Sequence, residues 1–143
     1  MAGIIVGVDG SDHSRRALAW AMHEAVTHRL PLTVVSIHPP AAQPATGIYW
    51  GVHTHPGDGF DPELARMAVQ QFVEKVASEI GEAPEITVSV GTGDVAEELA
   101  SASQDADMVV VGSRGGGGFA RLLMGSVSSQ VVHHASCPVV VIR

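Results

Sequence analysis

Short apolar runs alternate along this chain with longer stretches in which apolar residues recur at helical spacing. The recurrence of Leu18, Met22 and Ala25 predicts a helix over 12–28, and the four-residue spacing from Leu64 to Val76 predicts a second one, opened by Asp61-Pro62. An acidic capping box at Asp94 predicts a third helix, and a fourth is predicted over 126–134. The apolar runs between the helices predict five buried strands, at residues 3–8, 32–37, 85–90, 108–111 and 138–142.

This alternation of strand and helix predicts an α/β fold. Right-handed crossovers would assemble the strands into a single doubly wound, five-stranded parallel sheet with helices on both faces, a Rossmann-like arrangement. At 143 residues the simplest organisation is one domain over 1–143. Hydrophobic residues make up 45% of the chain and aromatic residues 4%, so the core must be built mainly from Val, Ala, Ile and Leu, as parallel strands require.

One segment, residues 38–60, does not follow the alternation. It shows neither a helical nor a strand period and contains Pro39, Pro40, Pro44 and Pro56. Loops of this length in compact domains are usually functional or disordered. Tyr49 and Trp50 therefore have two open interpretations: they cover a ligand or partner, or they belong to a mobile loop.

Charge and composition exclude several classes of protein. The net charge of −7 argues against a general nucleic-acid or anionic-membrane binder. Cys137 is the only cysteine, so an intrachain disulfide is impossible. The N-terminal residues lack a basic leader, and no apolar run approaches the ~20 residues of a membrane span. We therefore expect a soluble, cytoplasmic protein.

The sequence from Gly112 to Ser126 carries the clearest chemical signal. Glycine residues at 112, 115 and 125 fall between a predicted strand and a predicted helix. Backbone N–H groups converge without partners at such a turn, so it attracts phosphate. Asp9 follows the first strand, and in doubly wound sheets ligands bind beyond the carboxyl ends of the strands where the winding reverses. If the first and fourth strands are neighbours, Asp9 faces Gly112 across that crevice.

These residues resemble the universal stress protein family. The resemblance rests on the glycine and serine spacing just described and on three other segments: residues 7–11, Gly-Val-Asp-Gly-Ser; residues 93–98, which precede the third helix; and the closing residues 136–141. It covers essentially the whole chain and implies the adenine nucleotide alpha hydrolase-like form of the fold. The complete glycine pattern implies the branch of the family that binds ATP.

The resemblance also implies a role for particular residues in binding ATP, with or without Mg²⁺. Asp9 would contact the ribose or the triphosphate, and Ile37 would lie where the backbone meets the edge of the adenine. The ribose would be flanked by Val111 and Gly112. The phosphates would be approached or held by the turn and the following helix, and the full set of implied binding residues is Val8, Asp9, Ile37, Val111, Gly112, Arg114, Gly115, Gly125, Ser126, Val127 and Ser128. Arg121 is a further candidate phosphate partner.

One departure from the family concerns residues 115–118, which are four consecutive glycines where relatives often carry a bulkier or basic residue. A glycine run raises the entropy lost when the turn becomes ordered. The sequence also lacks the Gly-Lys-Ser/Thr motif of P-loop NTPases. We therefore expect a protein that holds a nucleotide rather than one that hydrolyses it rapidly.

The leading hypothesis is an ATP-binding stress-response or regulatory protein. Two alternatives stay open: an enzyme that hydrolyses ATP slowly or performs adenylate chemistry, with Asp9 as its acidic group, and an interaction module with a vestigial nucleotide site. His53 and His55 lack a third ligand at recognisable spacing, so no metal site is expected there. The apolar final strand, residues 138–142, lies at a predicted sheet edge. Since apolar edges are normally covered, we expect a homodimer through it, as the resemblance also implies.

Overall fold

The computed structural model describes residues 3–38, 48–49, 52–53, 61–113 and 125–143. Its elements, in chain order, are β1 (Ile4–Gly7), α1 (Asp12–His28), β2 (Leu32–His38), β3 (Ile48–Tyr49), β4 (Val52–His53), α2 (Pro62–Ile80), β5 (Ile86–Thr92), α3 (Val95–Ala102), a short 3₁₀ turn (Ser103–Asp105), β6 (Met108–Gly112), α4 (Ser126–His134) and β7 (Val139–Ile142).

Five of these strands form one parallel sheet in the order β5-β2-β1-β6-β7. The central strand β1 aligns Ile4 with Leu32 of β2 on one side and with Met108 of β6 on the other. The predicted fold class is therefore confirmed, and the chain's last strand does lie at an edge of the sheet. The winding direction reverses between β1 and β6, because the first crossovers lead outward through β2 to β5 and the later ones through β6 to β7.

Two apolar layers cover the two faces of the sheet. On one face, Val6, Val34 and Val110 pack against buried residues of α1 and α2, including Leu18 and Val73. On the other face, the core joins strands β1, β2 and β6 to helices α3 and α4, and its members are Ile5, Val35, Ala96, Leu99, Val109, Val111 and Val131. Neighbouring strand residues alternate between the layers, so every central strand is apolar on both sides.

The predicted helix starts agree with the observed ones. Asp61 accepts a hydrogen bond from the Glu63 N–H at 3.0 Å, with Pro62 at the first helical position. Asp94 accepts from the Glu97 N–H at 2.9 Å and begins α3. The predicted α1 bounds are also those observed, with Ser11 as the capping residue.

The segment that we expected to lack regular structure contains some. Ile48–Tyr49 pairs with Val52–His53 as a short antiparallel ladder, and His38 extends β2 by pairing with Thr92. The prediction was wrong at these residues because two-residue strands are too short for an alternating pattern to show. The rest of that segment lies outside the described residues, at 39–47, 50–51 and 54–60.

Candidate functional site

The reversal point between β1 and β6 brings two sequence-distant segments to one edge of the sheet. Asp9 follows β1, and Ser113 follows β6, the strand that pairs directly with β1. The predicted apposition of Asp9 and Gly112 thus follows from the observed strand order. In a doubly wound sheet this is where a ligand has room to bind.

The loop after β1 is held by a compact set of hydrogen bonds. The Asp9 Oδ1 accepts from the Ser11 N–H at 2.9 Å, and the Asp9 N–H donates to the Ser14 hydroxyl at 3.3 Å. Gly10, at φ 82°, adopts a backbone conformation that favours glycine. The structure therefore shows Asp9 as a turn-forming carboxylate.

Three of the aliphatic residues in the predicted set belong to the protein interior. Val8 and Val111 are buried and pack into the two opposite core layers, and Ile37 packs against the layer that contains Val111. Their side chains support the strand ends. Because Val8 and Val111 are buried, any contact that they make with a ligand at the edge would come from their backbone groups, whereas Ile37 is only partly buried.

Gly112 has a structural role that its sequence context did not reveal. A Cβ at this position would lie 3.0 Å from both the carbonyl carbon and the Cβ of His13, and 3.1 Å from the His13 carbonyl oxygen. Glycine thus permits the first turn of α1 to pack directly against the end of β6. The expected role of Gly112 beside the ligand stays a prediction, and the contact that the structure shows is with a neighbouring helix.

Ser113 joins three elements and was missed by sequence reasoning. Its N–H donates to the Ile142 carbonyl of β7 at 2.7 Å. Its carbonyl accepts from the Gly125 N–H and from the Ser128 hydroxyl, the latter at 3.2 Å. The side chain itself is buried. The only signal in the sequence is a small polar residue directly after a buried strand, which is too common to single it out.

The helix α4 begins at a glycine. Gly125 is its capping residue, at φ −71° and ψ 166°, and among the described residues no side chain caps the helix. Ser126 and Val127 are exposed there. The Ser128 hydroxyl points inward and donates to the carbonyls of Ser113 and Gly125. A ligand at the helix end would therefore meet the Ser128 N–H rather than its hydroxyl. The N–H groups of a first turn have no partners within the helix and carry the positive end of its dipole.

The other predicted residues of the turn lie outside the described residues. They are Arg114, Gly115, the glycines at 116–118, and Arg121. Within the described ranges, no group of three His, Cys, Asp or Glu side chains is arranged to hold a metal ion. No helix of the described part of the chain is long and apolar enough to span a membrane.

A histidine lies at the neighbouring strand end. The His38 Nε2 is 3.3 Å from the buried Ser36 hydroxyl, and burial lowers the pKa of the imidazole. The His38 carbonyl accepts from the Gly93 N–H at 2.9 Å, and this bond joins the ends of β2 and β5. The edge beside the reversal point therefore carries a partly buried imidazole whose neutral form is favoured by burial.

A model of the universal stress protein family matches residues 2–143. The chain belongs to the universal stress protein family. A universal stress protein of Mycolicibacterium smegmatis is 38% identical over 145 residues, which cover 99% of this chain and 48% of that protein. A universal stress protein of Mycobacterium tuberculosis is 37% identical over 155 residues, which cover 98% of this chain and 47% of that protein. The chain thus spans about half the length of these curated relatives.

Solved structures of universal stress proteins share the fold. UspA from Lactobacillus plantarum has a TM-score of 0.68 and 24% identity, and the match covers 99% of this chain and 97% of the UspA chain. A universal stress protein in complex with cAMP gives a TM-score of 0.69 at 23% identity, with 99% and 96% covered. The universal stress protein of Archaeoglobus fulgidus in complex with dAMP gives 0.68 at 22%, with 100% and 98% covered.

Proposed function

We propose that this universal stress protein binds ATP at the reversal point of its sheet and acts as a nucleotide-dependent regulatory protein. The observation that carries the proposal is the N-terminus of α4, which no side chain of the described residues caps, and whose first-turn N–H groups and positive dipole end lie at the edge of Asp9 and Ser113. Two structural neighbours are complexes with the adenine nucleotides cAMP and dAMP, which supports an adenine nucleotide as the ligand.

The net charge of the chain makes this local feature necessary. At −7 overall, the protein repels a polyphosphate at long range. Favourable contacts must come from short-range donors, and the amides of Ser126, Val127 and Ser128 are the donors that α4 offers. In the proposed complex these amides bind phosphate oxygens, Asp9 accepts from a ribose hydroxyl, and the Ile37 backbone meets the adenine.

Mg²⁺ fits this arrangement only as a companion of the nucleotide. Asp9 follows β1 at the reversal point, and its Oδ1 accepts from the Ser11 N–H. The described residues contain no three-ligand metal cluster. Since Mg²⁺ readily keeps water ligands and binds phosphate oxygens, a Mg²⁺ ion here would be held mainly by the triphosphate.

A homodimer through β7 is part of the proposal. Val139–Ile142 lies at the sheet edge, and all four residues are only partly buried in the single chain. Val132 of the adjacent α4 is 45% exposed. Covering these apolar groups with a second copy would remove them from water. Light scattering at micromolar concentration should give a dimer mass, and a monomer would contradict this assembly.

Calorimetry and mass spectrometry test the ligand. Titration with ATP, ADP, AMP and cAMP should show saturable binding, with GTP as the control for the base. Mass spectrometry of small molecules released from the purified protein should identify an adenine nucleotide. Absence of binding by every adenine nucleotide at millimolar concentration would overturn the proposed function.

A further inference from the structure

The start of α1 and the end of β6 meet without an intervening side chain. Gly112 has no Cβ, and the His13 backbone packs against it. The His13 carbonyl carbon and oxygen lie 3.0–3.1 Å from the position that a Cβ of residue 112 would take. Such a close approach fixes the position of the first turn of α1 relative to the strand. It also places the His13 side chain beside the residue that follows Gly112.

The His13 imidazole continues this contact to Ser113. Its Nδ1 lies 3.4 Å from the Ser113 hydroxyl and 3.2 Å from the Arg16 Nη2. A guanidinium can only donate hydrogen bonds, so Nδ1 must be the acceptor and the ring proton is assigned to Nε2. The Ser113 hydroxyl then donates to the same nitrogen, on the side facing β6.

Ser113 transmits the contact to both ends of the phosphate-attracting turn. Ser113 itself stands at the first end of the turn, where its N–H donates to the Ile142 carbonyl of β7. Its carbonyl binds the second end, through the Gly125 N–H and the Ser128 hydroxyl. The hydrogen bond between His13 and Ser113 therefore acts on the residue whose carbonyl binds Gly125, the capping residue of α4.

We propose that the hydrogen bond between His13 and Ser113, here called the clasp, makes His13 a positioning residue for nucleotide binding. The inference rests on the proposed function, because the α4 amides must bind phosphate for their placement to matter. The clasp holds Ser113, and through it Gly125, in the arrangement that a ligand needs. A protein already ordered in this way loses less entropy on binding.

Four proteins test the clasp: the wild type, His13→Ala, His13→Asn and His23→Ala. Asparagine places an acceptor oxygen near the position of Nδ1, whereas alanine removes it. His23 is an exposed histidine of the same helix and serves as the matched control. We expect His13→Ala to weaken ATP binding about 5- to 10-fold, the value of one net hydrogen bond. His13→Asn and His23→Ala should stay within about twofold of the wild type.

Two measurements separate positioning from a general loss of stability. In a double-mutant cycle, adding Ser113→Ala to His13→Ala should change the ATP dissociation constant little, because both remove the same bond. Nitrogen chemical shifts of His13 should show an unprotonated Nδ1 in the wild type without nucleotide. Amide exchange at Gly125 should be faster in His13→Ala than in His13→Asn.

The outcomes are distinguishable. Equal ATP binding by the wild type, His13→Ala and His13→Asn overturns the clasp and leaves the proposed function standing. Additive losses in the cycle, or a His13→Asn variant as weak as His13→Ala, also overturn it. An Nδ1–H tautomer would overturn the assignment of Nδ1 as the acceptor. Failure of the wild type itself to bind any adenine nucleotide overturns the proposed function and, with it, the role given to His13.

Discussion

The N-termini of α3 and α4 both lie at the carboxyl edge of the sheet, yet they are closed in different ways. At α3, Asp94 supplies a carboxylate whose Oδ1 accepts the Glu97 N–H at 2.9 Å. At α4, Gly125 occupies the equivalent capping position, and no side chain of the described residues caps the helix. The first terminus carries its own negative charge, whereas the second has no capping charge among the described residues, and it is the one at which we propose that phosphate binds.

One edge of the sheet thus contains a helix terminus that the chain caps itself and another that begins at a glycine. A strand followed by a helix is present in both cases, so topology alone does not distinguish them. The capping residue does. An aspartate completes the helix within the chain, and a glycine leaves its donors available for phosphate.

Gly125→Asp should have the largest effect, since it gives α4 the cap that α3 has. The backbone at φ −71° and ψ 166° accommodates any residue. We expect ATP binding to fall by about 100-fold or more, because a like-charge contact with phosphate costs several kcal/mol. Calorimetry measures the loss. Thermal unfolding should show no loss of stability, because aspartate is a favourable capping residue.

Gly125→Ala is the matched control for this change. It adds a Cβ without a charge, so it should weaken ATP binding far less than the aspartate. Wild-type affinity in Gly125→Asp would show that phosphate does not bind at the α4 terminus, and the contrast between the two helices would lose its functional meaning.

Gly112→Ala should have the next largest effect, on stability. The added methyl would lie 3.0–3.1 Å from His13 backbone atoms, which cannot move without shifting α1. We expect the free energy of unfolding in urea to fall by about 1–3 kcal/mol, as in other overpacked sites. Gly91→Ala is the control, because among the described residues its methyl would meet only the Ile37 Cδ1, at 3.5 Å. Equal losses in the two variants would contradict the close approach of α1.

Asp94→Ala should have a smaller effect, confined to stability. Loss of the α3 cap typically costs about 1 kcal/mol. Chemical denaturation measures this loss, and Asp94→Ser, which keeps a capping oxygen, should recover most of it. ATP affinity should not change. A marked fall in affinity would mean that the α3 terminus, too, takes part in binding.

The smallest expected effect is a pH dependence of stability that arises at His38. Burial lowers the pKa of this imidazole below its ordinary value of 6.5, so the unfolded chain binds the proton at higher pH than the folded one does. Stability should therefore decline as the pH falls below about 6.5, until the folded-state pKa is passed. Urea denaturation over this range should give a shallower decline for His38→Gln. Identical pH profiles would contradict the assignment.

The architecture could be predicted from the sequence because it follows from local patterns. Apolar runs indicated the five sheet strands, and Asp61 and Asp94 marked the starts of their helices. The glycine spacing indicated where a ligand would bind. Each of these signals lies within a few consecutive residues, which a single sequence displays directly.

The network within the candidate site could not be predicted in this way. Ser113 contacts His13, Gly125, Ser128 and Ile142, which come together only when the sheet has formed. Gly112 illustrates the same limit, because its need for a missing Cβ arises from α1, a helix almost 100 positions earlier in the chain. The short β3–β4 ladder was missed for a different reason, as two residues are too few to show a period.

The order of strands in the sheet has a consequence for how this protein matures on the ribosome. Strands β1, β2 and β5 are made first and are neighbours, so half of the sheet can assemble while the rest is still being translated. The candidate site lies along the join between β1, the earliest strand, and β6, which is made late. A nascent chain that ends before β6 and α4 would therefore contain a partly folded sheet without the capacity to capture a ligand.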